Sequence, residues 1–207
     1  KQNNFPLILP LQMMMPFIME EAEALKTAVD AFKHGQPIGD GIGSMIVGKM
    51  MLGTLKKTAA FETIWSESEY EGRKLYLMKA EGPSATVGRP GDALERIISE
   101  SKPDIIVMVD AALKLEGEES GSIAQGFGAA IGGIGTDRFQ IEEVATKHKI
   151  PIYAIVIKQS IKEAITLMKK EIVDSAEKVT SQVHDLIKEN TKTGQSALII
   201  GVGNTLG

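Results

Sequence analysis

Pro103-Asp-Ile-Ile-Val-Met-Val-Asp-Ala-Ala112 holds the run that decides the fold. Its apolar centre, Ile105 to Val109, is short and rich in β-branched residues, which predicts a buried strand. A glycine-rich passage follows from Gly121 to Gly135, then a helical pattern over Thr136–Lys149. A second apolar run, Pro151-Ile-Tyr-Ala-Ile-Val-Ile157, comes next. Two such runs around a helix predict a βαβ unit in a parallel sheet. Asp110 stands where the first run stops being apolar, at the carboxyl end of its strand. Open α/β sheets bind ligands in the crevice outside that edge. Asp110 is therefore the first candidate for chemistry.

Downstream, apolar residues at 161, 165, 168, 172, 176, 179, 183 and 186 recur in steps of three and four. They predict a long amphipathic helix over 160–190, or two in succession, with its stripe on the sheet or partly against another subunit. Ser196–Ile200 predicts another buried strand. Upstream, Asp92–Ser101 reads as a helix stopped by Pro103. Residues 61–66 and 74–79 read as a hairpin joined through Glu71-Gly72, with Trp65 in its packing. A helix after Pro37–Gly43 is expected to bury Ile42, Met45, Ile46, Met50 and Leu52, with Gly48 and Gly53 allowing close approach.

Pro16 opens a predicted helix that runs to about Lys33 and stops at Gly35. Before it, Phe5–Met19 is strongly apolar but interrupted by Pro6, Pro10 and Pro16. It is shorter than the roughly 20 residues that a bilayer requires. It is expected to pack on the domain surface or a partner; the sharper expectation is membrane attachment upstream of residue 1. The chain thus divides into an N-terminal apolar segment with its helix, 1–37, and an α/β domain, 38–207.

The 207 residues carry 23 Lys+Arg against 27 Asp+Glu, a net charge of −4, and 5% aromatics. Such a balance excludes a basic nucleic-acid groove. The absence of Cys excludes disulfides, thiolate metal sites and a cysteine nucleophile, and fits a cytoplasmic protein. Gly201-Val-Gly203 after a strand invites a dinucleotide reading, but the next glycine, Gly207, falls one residue late. Gly128-Ala-Ala-Ile-Gly-Gly-Ile-Gly135 looks like a phosphate loop, yet Ile134 stands where such a loop needs Lys. Tight backbone packing is the leading reading there, with anion binding around Gly132 the alternative.

Three pieces together resemble the superfamily of hydrogenase-maturation proteases and spore germination proteases, whose members share a phosphorylase-like α/β fold. Val109-Asp-Ala-Ala112 resembles the "VDA" strand end of both families. Gly121-Ser-Ile-Ala through Gly135, Ile150–Ile157 and Ser160-Ile-Lys-Glu-Ala164 are similar to the germination protease's glycine-rich stretch, strand and helix. Gly201-Val-Gly-Asn204 resembles the opening "GVGN" of the maturation proteases. There, an acid followed by Gly-x-Gly and a helix comes next; here that continuation is Asp40-Gly-Ile-Gly43, near the other terminus. The resemblance, which extends to an archaeal family of unknown function in this superfamily, implies a circular permutation. It spans roughly residues 38–55 and 90–207.

What the resemblance implies is a three-layer, mostly parallel twisted sheet with helices on both faces, joined by an N-terminal helix and a β-hairpin. It implies a hydrolase, most directly an endopeptidase of the aspartic type, acting on a protein or peptide. Asp40 and Asp110 match the families' functional acids, one ionised to activate water and the other protonated to serve the leaving group. Asn204, Gly203, Gly132 and Lys158 are the expected substrate-binding residues at the same rim, with Glu81 nearby. The maturation proteases place a metal-ligating His in the region matching Gly126–Gly135; none stands here, so a metal-free, cofactor-free acid pair is expected. His34, His148 and His184 are expected at the surface. The competing readings are a non-catalytic binding or scaffold module, membrane-associated or assembling through the 160–190 helix, and a nucleotide binder through 128–135.

Overall fold

The computed structural model describes residues 5–129 and 135–206. Helix α1 (Phe5–Lys33) leads through a 3-10 turn, Gly39–Gly41, into α2 (Ile42–Met50). A meander follows: β1 (Lys56–Ala60), β2 (Thr63–Tyr70) and β3 (Arg73–Ala80). Then come α3 (Pro90–Ser101), β4 (Ile105–Leu113), β5 (Ile123–Phe127) and α4 (Thr136–Lys147). The chain closes with β6 (Ile152–Gln159), α5 (Ile161–Ile165), α6 (Lys170–Asn190) and β7 (Ser196–Gly201).

Among the described residues the strands form one seven-stranded sheet in the order β1-β2-β3-β7-β4-β6-β5. It is mixed: β3, β7, β4 and β6 run parallel at its centre, while β1 and β2 on one side and β5 on the other pair antiparallel. The β4–α4–β6 unit has the parallel pairing that its sequence pattern dictates. β7, last in the chain, fills the slot between β3 and β4.

Alternate residues of the same strands serve two cores. Val107, Val109, Ile155, Ile157 and Ile199 pack with α2 and α6 on one face. Ile106, Met108, Ala154, Leu198 and Ile200 pack with α3 and α4 on the other. A strand whose two faces are both covered must be apolar throughout, which is why β4, β6 and β7 read as continuous runs. Each Ile so buried contributes about 1.5–3 kcal/mol.

Several expectations need correcting. α1 begins at Phe5, not Pro16, and carries Pro10 and Pro16 inside it. Leu52 is exposed rather than buried, and Gly53 has no neighbour close enough to need its missing side chain; it serves a turn at φ +76°. Strands β1 and β5 were not foreseen. The 160–190 segment takes the second of its two expected forms, two helices in succession, divided where Met168 N–H donates to the Pro37 carbonyl at 2.8 Å. The apolar stripe of α6 is spent on the chain's own sheet. The hairpin turns where predicted, through Glu71 and Gly72, both at positive φ, and Trp65 is buried 6.0 Å from Tyr76. No helix among the described residues is long and apolar enough to cross a membrane.

Candidate active site

Val109 of β4 lies opposite Gly201, the last residue of β7, while β4 continues beside β6 to Leu113; Asp110 therefore stands just past the end of β7 and inside its own strand, not at that strand's end as expected. The segment leading into α2 is pinned over the carboxyl edge of the sheet. Gly39 N–H donates to the Thr166 carbonyl at 3.2 Å, and Ile38 bridges to Leu167. Glycines let the backbones meet there. A Cβ on Gly43 would collide with the carbonyls of Val109 and Val202, and one on Gly41 would lie 2.6 Å from the Asn204 carbonyl. Gly203, at φ +121°, has room for no side chain against the Asp40 carbonyl. The C-terminal strand therefore runs directly under the start of α2.

Asp40 sits in this junction, half-buried. Its Oδ2 accepts the backbone N–H of Asn204 at 2.9 Å. The Ser44 hydroxyl donates to the Gly203 carbonyl at 2.9 Å, locking the same contact from the next turn. The Asn204 side chain is used locally: its Nδ2 donates to the Ala85 carbonyl and its Oδ1 accepts from Leu206 N–H.

Asp110 reaches the rim from the α3–α4 face and is only 1% exposed. Arg138, in the first turn of α4, donates from Nε to Asp110 Oδ2 at 2.5 Å and from Nη2 to the Ala111 carbonyl at 2.6 Å. Ala111 N–H donates to Oδ1 at 2.7 Å. Burial pushes the Asp110 carboxyl above its ordinary range; Arg138 and the Ala111 amide pull it back, and the charge of Asp40 pushes it further up. Burial likewise raises Asp137, with Arg138 opposing and Asp40 adding to the rise.

The remaining candidates divide. Lys158 pairs with Glu118 at 3.5 Å, on the loop after β4, rather than with either acid. Gly132 lies outside the described residues, as does most of the 128–135 loop. Glu81 borders a cleft of about 320 Å³ that Gly41, Ser44, Lys79, Met168 and Asn204 also line. In it, burial first and the charge of Lys56 second hold the Lys79 amine below its ordinary range. His34, His148 and His184 bond or stack with Asp30, Glu95 and Tyr70, away from the site. Among the described residues no group of three or more His, Asp or Glu is placed to hold a metal ion.

Two residues escaped the sequence reading. Arg138 carries a detectable signal: a cation in the first turn of a helix opposes the helix dipole and needs an acid to hold it. Gln159, at the end of β6, is buried with neither amide atom hydrogen-bonded, and a Cβ on Gly39 would strike its Oε1. Nothing in its sequence context marks it.

Residues 38–207 match the family model described as "Domain of unknown function (DUF1512) C-terminal". Residues 1–35 match that of "Protein of unknown function (DUF1512) N-terminal domain". No curated protein matches the chain.

Proposed function

The chain belongs to the DUF1512 family, and we propose that it is a hydrolase, acting as an endopeptidase through Asp40 and Asp110. One observation carries this reading: the segment bearing Asp40 packs onto the end of β7 beside β4, with Gly43 against the Val109 carbonyl next to Asp110, although the two acids lie far apart in the chain. A perturbed acid near a sheet's carboxyl edge is where chemistry is expected. The resemblance to the maturation and germination proteases supplies the substrate class. On this reading the fold is their three-layer, phosphorylase-like architecture, circularly permuted. The close approach of Gly203 to Asp40 supports the permutation, because it restores the order strand, acid, helix across the chain's two ends.

In the proposed reaction the Asn204 amide holds one oxygen of Asp40 while the other takes a proton from water. The hydroxide adds to the peptide carbonyl carbon. Arg138 moves from Asp110 to the developing oxyanion, where a cation stabilises it. Asp110, whose protonated form burial favours, gives its proton to the amine as the C–N bond breaks. The cleft beside Gly41 and Asn204, which neither acid nor Arg138 lines, would hold a flanking part of the peptide, in a cytoplasmic protein.

The test is cleavage of a peptide library by the intact chain and by D40N and D110N, with folding checked by circular dichroism. Each substitution should lower turnover by about 100-fold or more. Undiminished turnover in a folded D110N would remove the proposal.

A further inference from the structure

Among its described residues helix α1 has one buried line, beside which Glu23 pairs with Lys162 at 3.7 Å. Ala24, Ala28 and Ala31 are buried, on the side that meets α5. A second line is apolar and exposed along the whole helix: Ile8, Leu11, Met15, Ile18, Ala22, Leu25, Val29 and Phe32. Its steps are 3, 4, 3, 4, 3, 4 and 3. That is the a/d pattern of a coiled-coil seam, sustained for four heptads. It lies roughly a third of a turn round from the alanine line, so α5 leaves it open.

The C-terminal half of α1 names the occupant. There the residues off these two lines are mostly charged or polar, which a bilayer would reject and a helical partner tolerates. With Ile8 at a, Glu21 falls at g and Lys26 at e, both exposed. In a parallel pair of identical helices a g residue faces the e residue five positions on in its partner. Glu21 then meets Lys26 twice, once on each side of the seam. An antiparallel pair sets g against g and e against e, so Glu21 and Lys26 would not meet across the seam. The a positions are Ile8, Met15, Ala22 and Val29 and the d positions Leu11, Ile18, Leu25 and Phe32; Ile8 and Val29 at a with Leu11 and Leu25 at d match the two-stranded preference. Pro10 and Pro16 fall at c and b, away from the seam.

We propose that α1 pairs in parallel with the α1 of a second copy of this chain through this stripe. The active-site rim is not involved, so the pairing stands or falls independently of the hydrolase reading. Leu9, Met13 and Phe17, also exposed, lie outside a two-stranded seam; they are what a membrane would use instead.

The chain has no cysteine, so engineered pairs report the geometry cleanly. Light scattering on the intact chain should give a dimer. L25C, at a seam position, should oxidise to a disulfide-linked dimer, and L9C, on the outer side, should not. E21K should weaken the dimer about tenfold, and E21K/K26E should restore it. These positions are exposed, so none of the changes burdens the core. A wild-type monomer, equal cross-linking of L25C and L9C, or a monomer that floats with neutral phosphatidylcholine vesicles would overturn the proposal.

Discussion

The backbone N–H of Asn204 donates to the Asp40 carboxylate at 2.9 Å, across 164 positions of sequence. No other arrangement of β7 would make this bond. β7 must sit between β3 and β4, and α2 must start over its end, before an amide near the C-terminus can cap an acid near the start of the domain. The same contact leaves Gly203 no space for a side chain, because Asp40 occupies the place a Cβ would take.

That crowding gives the first prediction. G203A must both accept φ +121° and displace the Asp40 backbone. It should lose about 2 kcal/mol or more in chemical denaturation. G48A is the control. It sits inside α2, where a Cβ meets only the flexible end of Lys79 at 3.3 Å. It should be neutral or stabilising by up to about 1 kcal/mol, the helix preference for Ala over Gly. Equal losses in the two variants would mean that the Gly203–Asp40 contact does not constrain the fold.

Removing the guanidinium partner should expose the cost of burying Asp110. R138M leaves the Asp110 carboxyl with almost no solvent and one amide donor; the loss should be smallest where the carboxyl is protonated and reach roughly 3–5 kcal/mol where it is ionised. The pH dependence has a definite sign. A carboxyl raised in the fold makes the native state bind more protons, so its contribution falls as pH rises from its ordinary value of 3.8 toward the raised one. Without Arg138 the rise is larger, so R138M should lose more stability than the parent as pH rises above 3.8. Parallel stability–pH curves for the two proteins would contradict this account.

Much of the sheet was legible because burial on both faces forces an unbroken apolar run, as in Ile105–Val109, Ile152–Ile157 and Ala197–Ile200. The two edge strands were not. β1, Lys56-Lys-Thr-Ala-Ala60, opens with two lysines, which protect an unpaired edge and erase the strand signal. β5, Ile-Ala-Gln-Gly-Phe, is short and contains glycine. The start of α1 was hidden by Pro10 and Pro16, which remove helical N–H groups at about 3 kcal/mol each. A seam buried by a second copy would offset that cost, and no single-chain reading can weigh it. At the site, Asp40 was visible as a helix-start residue; Asp110 was visible as the first break in an apolar run, although its strand continues to Leu113. Arg138 was not, since its partner is set by how α4 docks on β4.

His184 should titrate below the ordinary histidine range. It stacks on Tyr70 at 3.9 Å with planes 10° apart. Burial is the main cause of its lowered value and Lys188 the second, with Asp185 and Glu71 opposing. A histidine lowered in the fold contributes stability that is present above its ordinary value of 6.5 and is lost as pH falls below it. An NMR titration should therefore place its midpoint under 6.5. H184F, which keeps the stacking, should remove that part of the stability slope. A midpoint above 6.5 would show that the acidic neighbours prevail over burial.

Glu163 gives the acid limb of the stability curve. It closes a capping box with Ser160, accepts from Ser120, and pairs with Lys169 at 2.7 Å. Burial alone would raise its carboxyl; Lys169, the Ser160 amide and the Ser120 hydroxyl together outweigh it and bring the value down to about 2. A carboxyl lowered in the fold stabilises the native state above its ordinary value of 4.5, and the contribution is lost as pH falls from there to about 2. E163Q removes the charge but keeps one acceptor for the Ser160 amide. It should cost about 1–3 kcal/mol at pH 7 and progressively less below pH 4.5. The loss should also loosen the segment that pins Gly39, because the Glu163 carbonyl packs against that glycine. Hydrogen exchange at Gly39 and Gly41 should speed up in E163Q while that of β4 amides rises only with the global loss. Unchanged exchange at Gly39 would separate the cap from the site it is argued to support.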